Sequence, residues 1–136
     1  MANGLYDAAR ASFLNGDIDW TNDDIRAILV DTGAYTVNLG THDFLDDIPG
    51  GARIAVSSAL GSKTSTAGVA DAADVTFTAV SGATVEAVVI YKHTGTDSTS
   101  NLIAYMDTGM TGLPVTPNGG DITVQWANTT NRIFKL

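Results

Sequence analysis

The chain has 136 residues, 44% hydrophobic and 16% charged, with no cysteine and a formal net charge of −8. That length suits one domain spanning residues 1–136, and the apolar content is too high for a disordered chain. Disulfides and thiolate metal sites are excluded, and seven Lys and Arg against 15 Asp and Glu leave no phosphate-neutralising stripe for nucleic acid.

Residues 4–15 read as a short helix. Leu5, Ala9 and Phe13 recur every four residues and form one apolar stripe. Asn3 is placed to cap the first turn, and Gly16 suits the left-handed position after the last. A helix this short persists only when packed. Residues 1–16 are therefore expected either to seal the chain's own core or to act as an arm docking on a neighbouring subunit.

Residues 23–31 predict a strand that is apolar on both faces from Ile25 to Val30, the pattern of a strand in the middle of a sheet. Residues 41–48 predict one or two helical turns capped by Thr41 and ended by Pro49, Gly50 and Gly51. Residues 53–60 alternate Ile54, Val56, Ser58 and Leu60 against small polar residues, as a half-buried strand does. After a link rich in Ser, Thr and Gly come strands over 75–80, 84–92 and 102–106. The turn at Pro117, Asn118, Gly119 and Gly120 leads into a strand over 121–126, and residues 132–136 close the chain as a short apolar piece. Several short strands with turn residues between them predict a mainly β protein, an antiparallel β-sandwich or β-barrel with a short N-terminal helix and one short helical turn.

The charge is uneven. Residues 1–50 hold nine Asp against Arg10 and Arg26, a balance of −7, and Glu86 is the one glutamate of the whole chain. Aspartate favours caps and turns, which fits short strands joined by loops. The run Asp17, Asp19, Thr21, Asp23 follows the alternating oxygen ligands of an EF-hand loop. It fails at the sixth position, Asn22 in place of glycine, and at the twelfth, Ile28 in place of a bidentate glutamate. The same run lacks the preceding buried parallel strand of an aspartyl-phosphate phosphatase. His42 and His93 lie in different elements and read as surface histidines rather than metal ligands. No nucleophile elbow and no P-loop is present. No catalytic, cofactor or metal residue is therefore assigned, and the chain is expected not to be an enzyme. There is no apolar run of membrane-spanning length and no visible leader, so synthesis in the cytoplasm is expected.

Several segments, taken together, resemble a group of small bacteriophage virion structural proteins. They are Met1-Ala2-Asn3-Gly4-Leu5-Tyr6-Asp7, then Phe44-Leu45-Asp46-Asp47-Ile48-Pro49 with Ala52-Arg53, and residues 68–77. Val89-Ile90-Tyr91-Lys92, Leu102-Ile103-Ala104-Tyr105 and residues 112–122 continue the series to nearly full length. The resemblance carries no catalytic motif. It implies a particle component, on the head or the tail.

A charge of −8 sits poorly against packaged DNA, which favours an outer position on the capsid. The leading expectation is a decoration, or cement, protein that stabilises the lattice of the major capsid protein through many copies of a modest contact. By analogy with decoration proteins generally, it would form a homo-oligomer, a trimer foremost. The expected contact residues are Leu5, Tyr6, Phe13, Trp20, Asp43, Asp46 and Asp47. The alternatives are a tail, baseplate or fibre module, or a carbohydrate- or receptor-binding module using Trp20, Trp126, Tyr91, Tyr105 and the polar loop 94–101.

Overall fold

Ile25–Val30, hereafter β2 because one shorter strand precedes it, is buried at every position except Arg26, which is half-buried. Its two-sided apolar character puts it inside a sheet. Ala87–Lys92 (β6) pairs with it antiparallel from Ile25↔Lys92 to Val30↔Ala87, and Arg53–Val56 (β3) pairs with its other edge. Leu102–Met106 (β7) lies antiparallel to β6, and Gly4–Leu5 (β1) lies antiparallel to β7. The resulting five-stranded sheet runs β1-β7-β6-β2-β3. A computed structural model describes these elements over residues 3–127 and 132–136.

The sheet is open, with β1 and β3 as its edges, so the fold is sandwich-like and the barrel alternative does not hold. Two smaller antiparallel pairs complete it: Val75–Phe77 (β5) with Ile122–Val124 (β8), and Val69–Ala70 (β4) with Phe134–Lys135 (β9). Val75, Phe77, Ile122 and Val124 turn inward and join the same hydrophobic cluster as the main sheet, while Thr76 and Thr123 face out and share a 2.9 Å hydroxyl contact. This alternation matches the expected half-buried pattern.

The helix is shorter than its stripe predicts. It spans Asp7–Leu14 (α1) and packs on β7. Gly4 and Leu5 join the sheet instead, because glycine is a poor helix former and the edge of β7 offers backbone partners. Asn3 does not cap α1. Its side-chain oxygen accepts from the backbone of Asp107 (2.8 Å) and Thr108 (3.1 Å), and its Nδ2 donates to the Thr108 carbonyl (2.8 Å). The other end is as expected. Gly16 takes φ +78°, its N–H donates to the Phe13 carbonyl, and Asp17 N–H donates to that of Ser12, a Schellman closure.

Two further expectations shift. The turn placed at 41–48 is a single 3-10 turn, Leu45–Asp47, preceded by an extended Phe44. Leu45 N–H donates to the Ser100 carbonyl and Leu102 N–H to that of Asp43, so the backbone here borders β7 rather than winding from Thr41. The strand expected over 53–60 stops at Val56, which is exposed, although the N–H groups of Ser57 and Leu60 still donate to the Ala27 and Ile25 carbonyls of β2. Strand β4 falls within the link expected to be irregular.

Candidate interaction surface

The expected contact residues separate into two groups. Leu5, Tyr6 and Trp20 are interior, with 4%, 0% and 6% of their surface exposed. They cannot serve as contacts on the folded protein, and that part of the expectation is corrected. Leu5 is held by β1, and Trp20 stacks edge-on against Phe134 at 5.2 Å while its Nε1 donates to the Asp71 carbonyl at 3.3 Å. The arm reading of residues 1–16 is corrected with them, because β1 and Tyr6 belong to the core. Phe13 is half-buried, and Asp43, Asp46 and Asp47 lie together on the 43–47 turn.

Tyr6 ends a chain of hydroxyls. Its oxygen lies 2.9 Å from that of Tyr35, which lies 2.8 Å from His42 Nδ1. Asn38 N–H also donates to that Nδ1, at 3.3 Å. Nδ1 is therefore an acceptor, so Tyr35 donates to His42 and Tyr6 donates to Tyr35. Burial first, and the donated hydrogen bond second, push the Tyr6 hydroxyl well above its ordinary range. His42 thus holds a structural role that sequence alone did not show. The aromatic platform expected for a sugar is likewise interior: Trp126, Tyr91 and Tyr105 are all buried, and Trp126 Nε1 donates to the Ala73 carbonyl at 3.0 Å.

The acidic loop 17–24 satisfies itself. Asp19 accepts from the Asn22 side chain (2.7 Å), from Thr21 Oγ1 (3.1 Å) and from the backbone of Thr21 and Asn22. The Asn22 bond above all holds its carboxyl below the usual range. Asp24 receives a two-pronged bond from Arg26, at 3.0 Å on each oxygen, which lowers it too. Lys92 pairs with Asp23 at 3.2 Å and donates to the Asp17 carbonyl, and Lys63 donates to the Asp23 carbonyl. Elsewhere Asp31, Asp74 and Asp121 accept backbone N–H groups of Gly33, Trp126 and Ala79. Much of the negative charge thus fastens loops. The short aspartate side chain reaches nearby backbone where glutamate overshoots.

Asp43, Asp46 and Asp47 are arranged differently. One carboxylate oxygen from each lies within 4.8 Å of the others. Asp47 accepts the Asp43 N–H at 2.8 Å. Burial and then the neighbouring Asp47 push Asp43 up; Asp47 is drawn down, because the N–H groups of Asp43 and Phe44 outweigh its own burial. Arg53 braces this turn from below. Its guanidinium donates to the carbonyls of Leu45 (2.7 Å) and Ile48 (2.9 Å) and pairs with Asp97 at 2.8 Å. The turn therefore presents concentrated negative charge on a fixed backbone, suited to a basic side chain on a partner.

Among the recesses on the described residues, two lie elsewhere with linings of different character. One of about 410 Å³ is lined by Glu86, Asp107, Tyr105, Thr32, Thr108 and Pro114. Burial first, then Asp107, push the Tyr105 hydroxyl up to about 12. The other, about 350 Å³ and mostly apolar, lies between α1 and β9, with Phe13, Ile18, Trp20, Phe134 and Leu136 on its walls and Asp19 also lining it. Next to it Arg10, Phe13, Leu14 and Leu136 form a smaller cleft. Among the described residues no helix is long and apolar enough to cross a membrane. The chain matches no protein-family model and no curated protein sequence.

Proposed function

We propose that this chain is a structural component of a bacteriophage particle, acting as a decoration protein on the outside of the head that stabilises the major capsid protein lattice. The supporting observation is the character of the surface. A rigid β body braces a turn of three converging carboxylates, and a separate apolar seam stands exposed along α1 and β9. A surface of that kind grips neighbours through charge and apolar contact, and repetition over a lattice multiplies a modest interface. The net charge of −8 supports a place away from packaged DNA. The resemblance of the sequence segments to small virion proteins supports the same reading.

Cryo-electron microscopy of intact particles, with densitometry of purified virions, tests it. Density for this chain on the outer head, at a copy number comparable to the capsid protein, is the expected result. Density confined to the tail with a handful of copies supports the tail reading instead, and absence of the polypeptide from purified particles overturns both.

A further inference from the structure

The chain contains asparagine followed by glycine three times, at Asn3-Gly4, Asn15-Gly16 and Asn118-Gly119. Glycine has no side chain to shield its backbone nitrogen and turns freely, so that nitrogen can swing onto the Cγ of the asparagine before it. The fold treats the three junctions differently. Asn3 is tied down by Asp107 and Thr108, and Gly4 lies in β1 with Leu39 Cδ1 only 2.6 Å from the place a Cβ would take. Asn118 Oδ1 accepts the Gly120 N–H at 3.0 Å, and the Gly119 N–H donates to the Val80 carbonyl at 2.7 Å. The Val80 N–H returns a 3.0 Å bond to the Gly120 carbonyl, so this turn is clamped from both sides.

Asn15-Gly16 has none of this. Asn15 is exposed, its side chain has no hydrogen-bond partner, and nothing stands within 4 Å of where a Gly16 Cβ would lie. The Gly16 N–H is held by the Phe13 carbonyl at 3.2 Å, at the end of a helix, where the last turn frays. Asn15 sits at ψ −6°, so this turn must open before the Gly16 nitrogen reaches Cγ, and such openings cost least at element ends. We infer that Asn15 is the chain's site of spontaneous covalent modification, its side-chain amide converted to a carboxylate through a cyclic imide. The Gly16 nitrogen gives up its proton and bonds to Asn15 Cγ; the C–N bond of the side-chain amide breaks, and ammonia leaves with that proton. Water then opens the imide at either carbonyl, leaving aspartate or isoaspartate. Either product adds one negative charge to the −8 of the chain, at the negative end of the α1 dipole. Isoaspartate also lengthens the backbone by one carbon, within the closure that Gly16 and Asp17 make on Phe13 and Ser12.

Holding the folded full chain in warm, mildly alkaline buffer tests the inference. Cleavage after Lys and Arg separates the three junctions into residues 1–10, 11–26 and 93–132. Mass spectrometry of those peptides follows the conversion, and fragment ions tell Asn15 from Asn22 within the second. Conversion at Asn15 is expected to run roughly tenfold or more faster than at Asn3 or Asn118, the ratio that about 1.4 kcal/mol of difference in local opening produces. In guanidinium chloride, with the chain unfolded, the three rates are expected to converge, because glycine follows at each. Asn15→Ser is expected to abolish conversion in residues 11–26 and to keep the wild-type circular dichroism spectrum. Conversion of the folded chain at Asn3 or Asn118 as fast as at Asn15, or none at Asn15, overturns the inference. So does a ranking that survives unfolding, because the preference then belongs to the neighbouring sequence and not to the fold.

Discussion

The Tyr6 hydroxyl donates to that of Tyr35 at 2.9 Å, both rings being buried. The pair joins the start of α1 to the loop after β2 and continues to His42 at 2.8 Å. Replacing Tyr35 by Phe removes the acceptor of Tyr6 and the donor to His42 together. An unsatisfied buried hydroxyl costs about 1–3 kcal/mol, so Tyr35→Phe is expected to lower the free energy of unfolding by that amount, read as a lower urea midpoint at an unchanged slope. Tyr6→Phe leaves the Tyr35–His42 bond in place and is expected to cost less.

Deletion of residues 1–6 is expected to undermine the fold rather than to trim an arm. Leu5 and Tyr6 are buried, and β1 covers one edge of β7. Burial of each large side chain contributes about 1.5–3 kcal/mol, a substantial part of the 5–15 kcal/mol typical of a domain. Thermal unfolding followed by circular dichroism measures it; a truncated chain melting as cooperatively and as high as the full one contradicts the placement of β1.

Arg53→Lys is expected to loosen the 43–47 turn. One planar guanidinium reaches the Leu45 and Ile48 carbonyls and Asp97 together, and an ammonium group does not reproduce that fork. The loss is expected to be about 1–3 kcal/mol. Faster amide exchange at Ile48 and Ala52, with β6 and β7 unchanged, is the local signature.

Stability is expected to fall at both extremes of pH. Asp19 and Asp24 have lowered carboxyl values, Asp19 through Asn22 and Asp24 through Arg26. Their contribution is complete above the ordinary carboxylate range and is lost as pH drops through the lowered values. The Tyr105 hydroxyl, raised from 10.0 to about 12, works in the opposite sense. The fold holds that proton where the unfolded chain releases it, so its contribution is complete below pH 10.0 and disappears as pH rises to about 12. Denaturant midpoints across the pH range measure both limbs. For the alkaline limb, Tyr105→Phe is expected to flatten the decline.

Much of the framework was legible from periodicity. Ile25–Val30 announced a central strand because both its faces are apolar, and Leu102–Met106 and the alternation at Val75 and Phe77 were equally clear. Local signals failed where tertiary pairing prevailed. Leu5 fits a helical stripe but is taken by the edge of β7, and Phe44 bridges to Asn101 instead of winding from Thr41. The surface was harder to read. Leu5, Tyr6 and Trp20 were expected as contacts, yet those side chains are consumed by the core, while Leu14, which no pattern singled out, stands in solvent. For Leu5 and Tyr6 the difference was the exact start of α1, which is set by β7, about a hundred residues further along the chain; for Trp20 it was the packing of Phe134, more than a hundred residues away.

The pairing order has a consequence for how the protein is made. On the ribosome Ile25–Val30 emerges early, yet of its two neighbours only β3 follows soon; β6, which covers it from Ile25 to Val30, is synthesised much later. Until then a segment apolar on both sides is bare, and Gly4–Leu5 waits longer still for β7. Closure of the sheet is a late, long-range event, and the interval before it is when nascent chains are most exposed to sticking to one another.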